Sequence, residues 1–265
     1  EVSTGDLTLF DTPTPYADYS TWQEGTTGSQ GSFIMKGDSA ENKIIKGSDP
    51  FGQYVNLWEC IPDSVSDSDG GWNMDFTADN SKGLRMSVFV KKIGGEEGTT
   101  YIGCDANGNT LNLSGTVNNN PYFWYGKLPE SDTWYLMVGI LHPNSYTGGD
   151  TEISGLYDMQ GNKVLDGNDF KWGTGSNQRL RNYLYYCTNT DIRQYFVYPR
   201  VDVLDGSEPS INDLVKGMSW ITVFDSSKSG EYAEKPEGKW HSFETTNVRY
   251  IRDWVNGSTV NTGNH

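Results

Sequence analysis

The segment Asn118-Asn119-Asn120-Pro121-Tyr122-Phe123-Trp124-Tyr125 sets a dense aromatic run directly after three amides. Further on, Arg181, Tyr183 and Tyr185 alternate with Asn182, Leu184 and Tyr186, so in an extended strand the first three share one face. Arg85 and Phe89 stand on the same face as Ser87 in the run Leu84 to Lys91, and Tyr146 and Trp172 add rings in loops. Aromatic rings are flat apolar platforms, while Arg and Asn supply planar hydrogen-bonding groups. Together they suit a ligand with apolar C–H faces and a rim of hydroxyls, which is how a sugar presents itself. The candidate contact set is therefore Arg85, Phe89, Tyr122, Trp124, Tyr125, Tyr146, Trp172, Arg181, Tyr183 and Tyr185. The same residue types also build interiors. Trp72, Trp134, Leu136, Val138 and Phe196 are read as core, and for Arg85 and Arg181 a salt bridge across the sheet competes with ligand contact. Parity alone leaves open which face of Arg179 to Cys187 is buried.

Other chemistries lack their residues. His142, His241 and His265 are scattered, and no H-E-x-x-H occurs. There is no G-x-S-x-G elbow, phosphate loop or dinucleotide fingerprint. Carboxylates are plentiful, so counting does not exclude a glycosidase pair. However, the E-x-D-x-x-E strand of sandwich-type polysaccharide hydrolases is missing, as are the R-x-E-L-R, Q-I-H and Y-F-K-x-G strands of jelly-roll alginate lyases. The nearest look-alike, Arg193-Gln194-Tyr195-Phe196, lacks the Lys and Gly. No catalytic residue is assigned. The acidic turn Asp63 to Gly70 resembles part of a calcium loop, but Val65 breaks its register and Phe76 stands where the closing Glu belongs. It is read as a solvated turn, and no metal ligand is assigned.

The elements that would position these residues are strands. Leu84, Met86, Val88 and Val90 alternate with Arg85, Ser87, Phe89 and Lys91, while Trp72, Met74 and Phe76 share one side of their run. Thr133 to Leu141 is apolar on both faces, as a covered central strand would be. Arg179 to Cys187 and Gln194 to Val203 follow as strands split by a polar turn. Asp105 to Asn109 and Asp158 to Asn162 carry hairpin chemistry, with Gly where positive φ is needed. One short helix is expected over Ser210 to Lys216, capped by Ser210 and ended by Gly217. Roughly eight to twelve strands precede Gly217 on this reading. Trp220 to Asp225, a polar loop and Val248 to Val255 come after it. The chain thus divides into a sandwich over 1–217 and an extension over 218–265.

Composition sets the outer bounds. In 265 residues, Lys and Arg number 20 against 35 Asp and Glu, a formal net charge of −15. Nucleic-acid and anionic-membrane binding need a clustered cationic face, so neither is expected. The 16 Tyr, 9 Trp and 10 Phe exceed what one core requires, leaving rings for solvent or ligand. Cys60, Cys104 and Cys187 are odd in number and read as small buried hydrophobes. No apolar run approaches a membrane span, and with Glu1 first the chain reads as a mature product or an excised piece.

Several segments in order carry a resemblance. Leu84-Arg85-Met86-Ser87-Val88-Phe89-Val90-Lys91-Lys92 is followed by Trp134-Tyr135-Leu136, Gly155-Leu156-Tyr157-Asp158, Asp169-Phe170-Lys171-Trp172 and Arg181 to Tyr186. Arg193-Gln194-Tyr195-Phe196 and Pro199-Arg200-Val201-Asp202 complete the series, which spans about half the chain. It resembles the galactose-binding-like jelly rolls of carbohydrate-binding modules, as found in bacterial surface proteins and in phage tail-fibre or adhesin proteins. Val248 to Trp254 is similar to an early strand of a discoidin-like domain, so the extension is read as an added hairpin or as the start of a second such domain.

The resemblance implies an all-β fold, an antiparallel jelly-roll β-sandwich with one short helix. It implies a polysaccharide or cell-surface glycan as partner, beside other domains or subunits of a larger surface assembly. It implies an extracellular, cell-surface or virion-surface location. No cofactor is required, although a structural Ca2+ held by oxygens from distant strands fits the superfamily. The expected function is non-catalytic attachment, with two alternatives: a structural tail-fibre or particle-decoration part, and a polysaccharide lyase or hydrolase.

Overall fold

A computed structural model describes residues 2–6, 9–105, 108–217, 219–224 and 250–253. Its strands in chain order begin with β1 (Val2–Asp6), β2 (Phe33–Met35), β3 (Asn42–Ser48), β4 (Tyr54–Cys60), β5 (Ser68–Thr77) and β6 (Gly83–Ile93). There follow β7 (Thr99–Cys104), β8 (Thr110–Leu111), β9 (Tyr122–Gly126), β10 (Tyr135–His142), β11 (Gly155–Tyr157) and β12 (Lys163–Asp166). The series ends with β13 (Phe170–Trp172), β14 (Asn177–Tyr185), β15 (Arg193–Leu204), helix α1 (Ile211–Lys216), β16 (Ser219–Phe224) and β17 (Tyr250–Asp253).

By its contacts the chain forms two units, Pro13–Glu208 and a terminal unit of Glu1–Thr12 with Pro209–His265. The terminal unit holds the three-stranded sheet β16-β1-β17, in which the first strand pairs on both sides with strands from the end of the chain. Helix α1 falls in this terminal unit together with Glu1–Thr12. Helix α1 has the expected cap: the Ser210 hydroxyl accepts from the Asp213 N–H at 3.1 Å, and Gly217 ends it. Most of the extension over 218–265 lies outside the described residues, including His241, His265 and the ends of Val248 to Val255.

The larger unit is a sandwich of two sheets, antiparallel apart from a short parallel pairing of β10 with β13. One sheet of nine strands runs β12-β11-β10-β6-β15-β4-β3, with β13 attached at β10 and β8 at β13. The other, of five strands, runs β2-β5-β14-β7-β9. Among the described residues fifteen strands precede Gly217, more than expected, because β2, β8, β11, β12 and β13 have only two to four residues each. Segments that short show no alternation to read.

Alternation builds the core as expected. Leu84, Met86, Val88 and Val90 of β6 meet Trp72 and Met74 of β5, Ile102 of β7 and Leu180 and Leu184 of β14 in one buried cluster. Phe33 stands edge-on to Trp72 at 4.9 Å and Trp22 edge-on to Trp58 at 5.7 Å. Burying such rings contributes roughly 1.5–3 kcal/mol each. The Thr100 hydroxyl of one sheet donates to the Gln194 side-chain oxygen of the other at 2.5 Å, so these two buried groups satisfy each other. Cys60, Cys104 and Cys187 are buried and free.

Strand β10 is buried along its whole length, as a covered central strand should be. Trp134, expected in the core, lies just outside that strand, half-buried, with the Lys91 ammonium 5.4 Å from its ring centre. In the Asp158–Asn162 turn Gly161 takes φ +85°, where a side chain would be strained.

Candidate functional site

The face of the five-stranded sheet turned away from the core is paved with tyrosines, and register explains why. On β14, Leu180, Asn182 and Leu184 are fully buried, which leaves Arg179, Arg181, Tyr183 and Tyr185 on the other face. Tyr183 pairs with Tyr101 of β7, and Tyr101 pairs with Tyr125 of β9. Arg181 pairs with Gly103, which pairs with Tyr122. Two rows of side chains therefore cross the sheet side by side.

A bulge sets the second row. The β7–β9 register shifts between Ile102 and Gly103. As a result Phe123 and Trp124 both enter the core, while Tyr122 and Tyr125, three residues apart, both face outward. Strict alternation would have placed those tyrosines on opposite faces. Gly103 supplies the room beneath: a Cβ there would come within 2.7 Å of Tyr122 Cδ1 and 3.0 Å of Arg181 Nε.

The rings form a continuous surface. Tyr101 lies 4.7 Å from Tyr122, and Tyr122 lies 6.5 Å from Tyr183. Tyr183 continues to Tyr185 at 5.6 Å, and Tyr185 to Tyr186 at 5.4 Å. With Lys36, Asn120 and Arg181 the rings of Tyr101, Tyr122, Tyr183, Tyr185 and Tyr186 line a cavity of about 330 Å3. A second cavity, of about 430 Å3, shares Asn120 and Tyr122 with it and adds Tyr125, Asn112, Asn118, Asn168, Asp150 and Asp169.

Electrostatics favours hydrogen bonding over acid–base work. Burial raises the phenol pKa of Tyr101, Tyr122, Tyr183 and Tyr185, so these groups stay neutral donors well into the alkaline range. The Tyr183 hydroxyl donates to the Asn73 side-chain oxygen, which fixes its ring. Burial alone would push Asp169 up, but hydrogen bonds from His142, Ser154 and Thr151 outweigh it and hold the carboxyl at about 2. His142 Nε2 is 2.9 Å from Asp169 Oδ2, and Ser154 Oγ donates to Oδ1 at 2.6 Å. Ser154 is fully buried and bonded to the carboxylate rather than to the imidazole, so this trio is not arranged as a nucleophile with its base.

Of the ten residues named from sequence, five meet at this face: Tyr122, Tyr125, Arg181, Tyr183 and Tyr185. The others lie elsewhere. Trp124 is turned inward by the bulge, and Trp172 is fully buried in the core. Tyr146 stacks on His142 at 3.7 Å and donates its hydroxyl to the Gly149 carbonyl. Arg85 is buried on β6 and paired with Asp202 at 3.0 Å, the salt bridge weighed against ligand contact. Phe89 is fully buried, edge-on to Phe51 at 5.6 Å.

Four residues complete the first cavity without having been named as candidates. Tyr101 was readable from the alternation of Thr100, Tyr101 and Ile102. Asn120 stood in the amide run. Tyr186, placed by parity opposite Tyr185, takes φ +61° just past the end of β14 and turns back onto the same side. Lys36 gives no local signal.

Elsewhere, carboxylate oxygens of Glu41, Asp63 and Asp67 gather within 4.8 Å of one another. Hard oxygen donors of this kind suit Ca2+. Burial, and then repulsion from Asp63, Asp38 and Asp67 against the hydrogen bond from Asp38, raises the Glu41 pKa.

No protein-family model matches the sequence, and no curated protein matches it. Solved structures with some likeness include TmCBM61 in complex with β-1,4-galactotriose, at 6% identity and TM-score 0.40, covering 69% of this chain and 98% of that one. A family 22 carbohydrate-binding module of Clostridium thermocellum Xyn10B gives 11% and 0.37, covering 71% and 98%. An exo-β-agarase gives 9% and 0.41, covering 76% of this chain and 26% of that one. Likeness at these values transfers neither residues nor ligands.

Proposed function

We propose that the chain is a non-catalytic module that holds a larger extracellular or particle-surface protein on a polysaccharide or cell-surface glycan. One observation carries this reading: the tyrosine-paved cavity on the open face of the five-stranded sheet, with Arg181, Lys36 and Asn120 among its rings. Ring faces there accept the C–H faces of a sugar, while phenol hydroxyls and planar polar groups meet its hydroxyl rim. The site continues into the second cavity through Asn120 and Tyr122, giving room for more than one sugar unit. Binding at such an open site is weak per copy and recovered by multivalency.

The carboxylates speak against glycoside cleavage. A glycosidase acid needs a raised pKa, whereas Asp169 is held at about 2. The described carboxyls that are raised, Glu41, Glu59 and Asp69, line neither cavity.

A second reading, a surface that packs against further subunits of a fibre or particle, is favoured by the exposure of Tyr125 at 61% and Tyr186 at 54%. It predicts a defined oligomer that ignores sugars.

The test is retention of purified protein on a broad panel of polysaccharides, with calcium and with chelator, while new reducing or unsaturated ends are monitored. Retention without product supports attachment, and loss of retention in chelator gives an ion a part in it. Absence of retention on every polymer in both conditions rejects the reading.

A further inference from the structure

The charge inside the first cavity runs against the charge of the chain. The protein carries a formal net charge of −15, yet the cavity is lined by two cations, Arg181 and Lys36, and by no carboxylate. Arg181 is only 8% exposed. Among the described residues no carboxylate lies within 4.0 Å of either cation.

The Arg181 donors are largely unspent. Its guanidinium lies 4.4 Å from the ring centre of Tyr122, Nη2 reaches the Pro121 carbonyl only at 3.5 Å, and Nε has no partner. Arg179, two residues away on the same face, shows the usual alternative: it grips Asp75 through Nε at 2.5 Å and Nη2 at 2.9 Å. A buried guanidinium without a counter-ion is costly, and its fork fits a carboxylate or sulfate through two parallel bonds. Lys36 lines the same cavity, with its ammonium 5.9 Å from the ring centre of Tyr185.

Building on the glycan-binding reading, we infer that the ligand is an anionic glycan whose acidic group is taken between Arg181 and Lys36. The neighbouring cavity has the opposite character. It carries the exposed Asp150 with several asparagines, while the Asp169 carboxylate is buried against His142, Ser154 and Thr151, so it disfavours an acidic unit and suits an uncharged one. The structure thus assigns a register along the chain of sugars, with an acidic unit beside Arg181 and a neutral unit beside the asparagines.

The experiment compares acidic polysaccharides with their neutralised forms: polygalacturonate against its carboxyl-reduced polymer, and a sulfated galactan against the same polymer after desulfation. The expected result is binding of an acidic polymer and loss of binding on neutralisation. The pair that responds distinguishes carboxylate from sulfate. Wild-type binding should also weaken as NaCl rises from about 50 to about 500 mM. Arg181→Gln and Lys36→Gln should each weaken it by about tenfold or more. Because Arg181 is buried, Arg181→Lys and the wild-type salt dependence keep the test valid if the glutamine variant misfolds. Equal binding of charged and neutralised polymers, without salt dependence, overturns the inference and leaves the glycan reading standing. Retention on the broad panel confined to uncharged polymers likewise overturns the inference alone, and absence of retention on the whole panel overturns both.

Discussion

The rings of Tyr101 and Tyr125 lie 5.7 Å apart and within 13° of parallel, at paired positions on neighbouring strands. Tyr101 is held between strands, whereas Tyr125 is 61% exposed, so the stack ends in an open aromatic surface. Tyr125→Ala should therefore weaken glycan binding by about tenfold, the value of one well-placed ring. Its Tm should stay within about 2 °C of wild type, since no core contact is lost. Titration calorimetry beside a thermal melt checks this, and unchanged affinity would remove Tyr125 from the site.

Gly103 offers the complementary case. A Cβ there would meet the Pro121 carbonyl oxygen at 2.7 Å, and a backbone atom cannot swing aside as a side chain can. Gly103→Ala should force β7 and β9 apart and cost about 1–3 kcal/mol in stability. Arg181 and Tyr122, which cross the strand at that point, should lose their alignment and binding with it. Denaturant unfolding alongside the binding titration separates this variant from Tyr125→Ala, which loses affinity alone.

Much of this arrangement was legible in the residues because alternation reports which side of a strand faces the core. The core sides of Leu84 to Val90 and Trp72 to Phe76 and the Arg181–Tyr183–Tyr185 face follow it, whereas the Arg85–Ser87–Phe89 side of β6 is buried as well, beneath cover that alternation does not report. The reading failed where geometry departs from that period. The bulge that sends Trp124 inward beside Phe123 and the positive φ that returns Tyr186 to the Tyr185 side leave no mark in composition. Arg85 and Arg181 look alike in sequence, each on the polar side of an alternating strand. Only the partner strand decides between them: β15 brings Asp202 opposite Arg85, whereas β7 brings Gly103 opposite Arg181.

Asp202 accepts from Arg85 at 3.0 Å and from Arg200 at 2.7 Å, and all three are buried. Removing the carboxylate takes away an acceptor that both buried guanidiniums share, and breaking a buried pair costs about 3–5 kcal/mol. Asp202→Ala should show that loss in denaturant unfolding. The variant should still bind glycan wherever it remains folded, because Asp202 lines neither cavity. A parallel loss of affinity in the folded variant would tie this cluster to the site.

Asp69 sets the pH response. It is fully buried, its Oδ2 accepts from the Cys187 N–H at 2.9 Å, and its Oδ1 has no partner. Burial first, and then repulsion from Glu41, Asp67 and Asp63, outweighs that hydrogen bond and raises its pKa from 3.8 to about 7. Between those values the folded chain keeps a proton that the unfolded chain has released. The stabilisation is thus complete below about pH 4 and is lost as pH rises through about 7. Asp169 works in the opposite sense: held at about 2, it stabilises the fold above about pH 4, and that contribution fades as pH falls toward 2. Asp69→Asn keeps an acceptor for the Cys187 N–H and carries no charge. Thermal melts from pH 5 to pH 8 should show the wild type losing Tm and the variant holding it. Parallel curves for the two proteins would place the titrating group elsewhere.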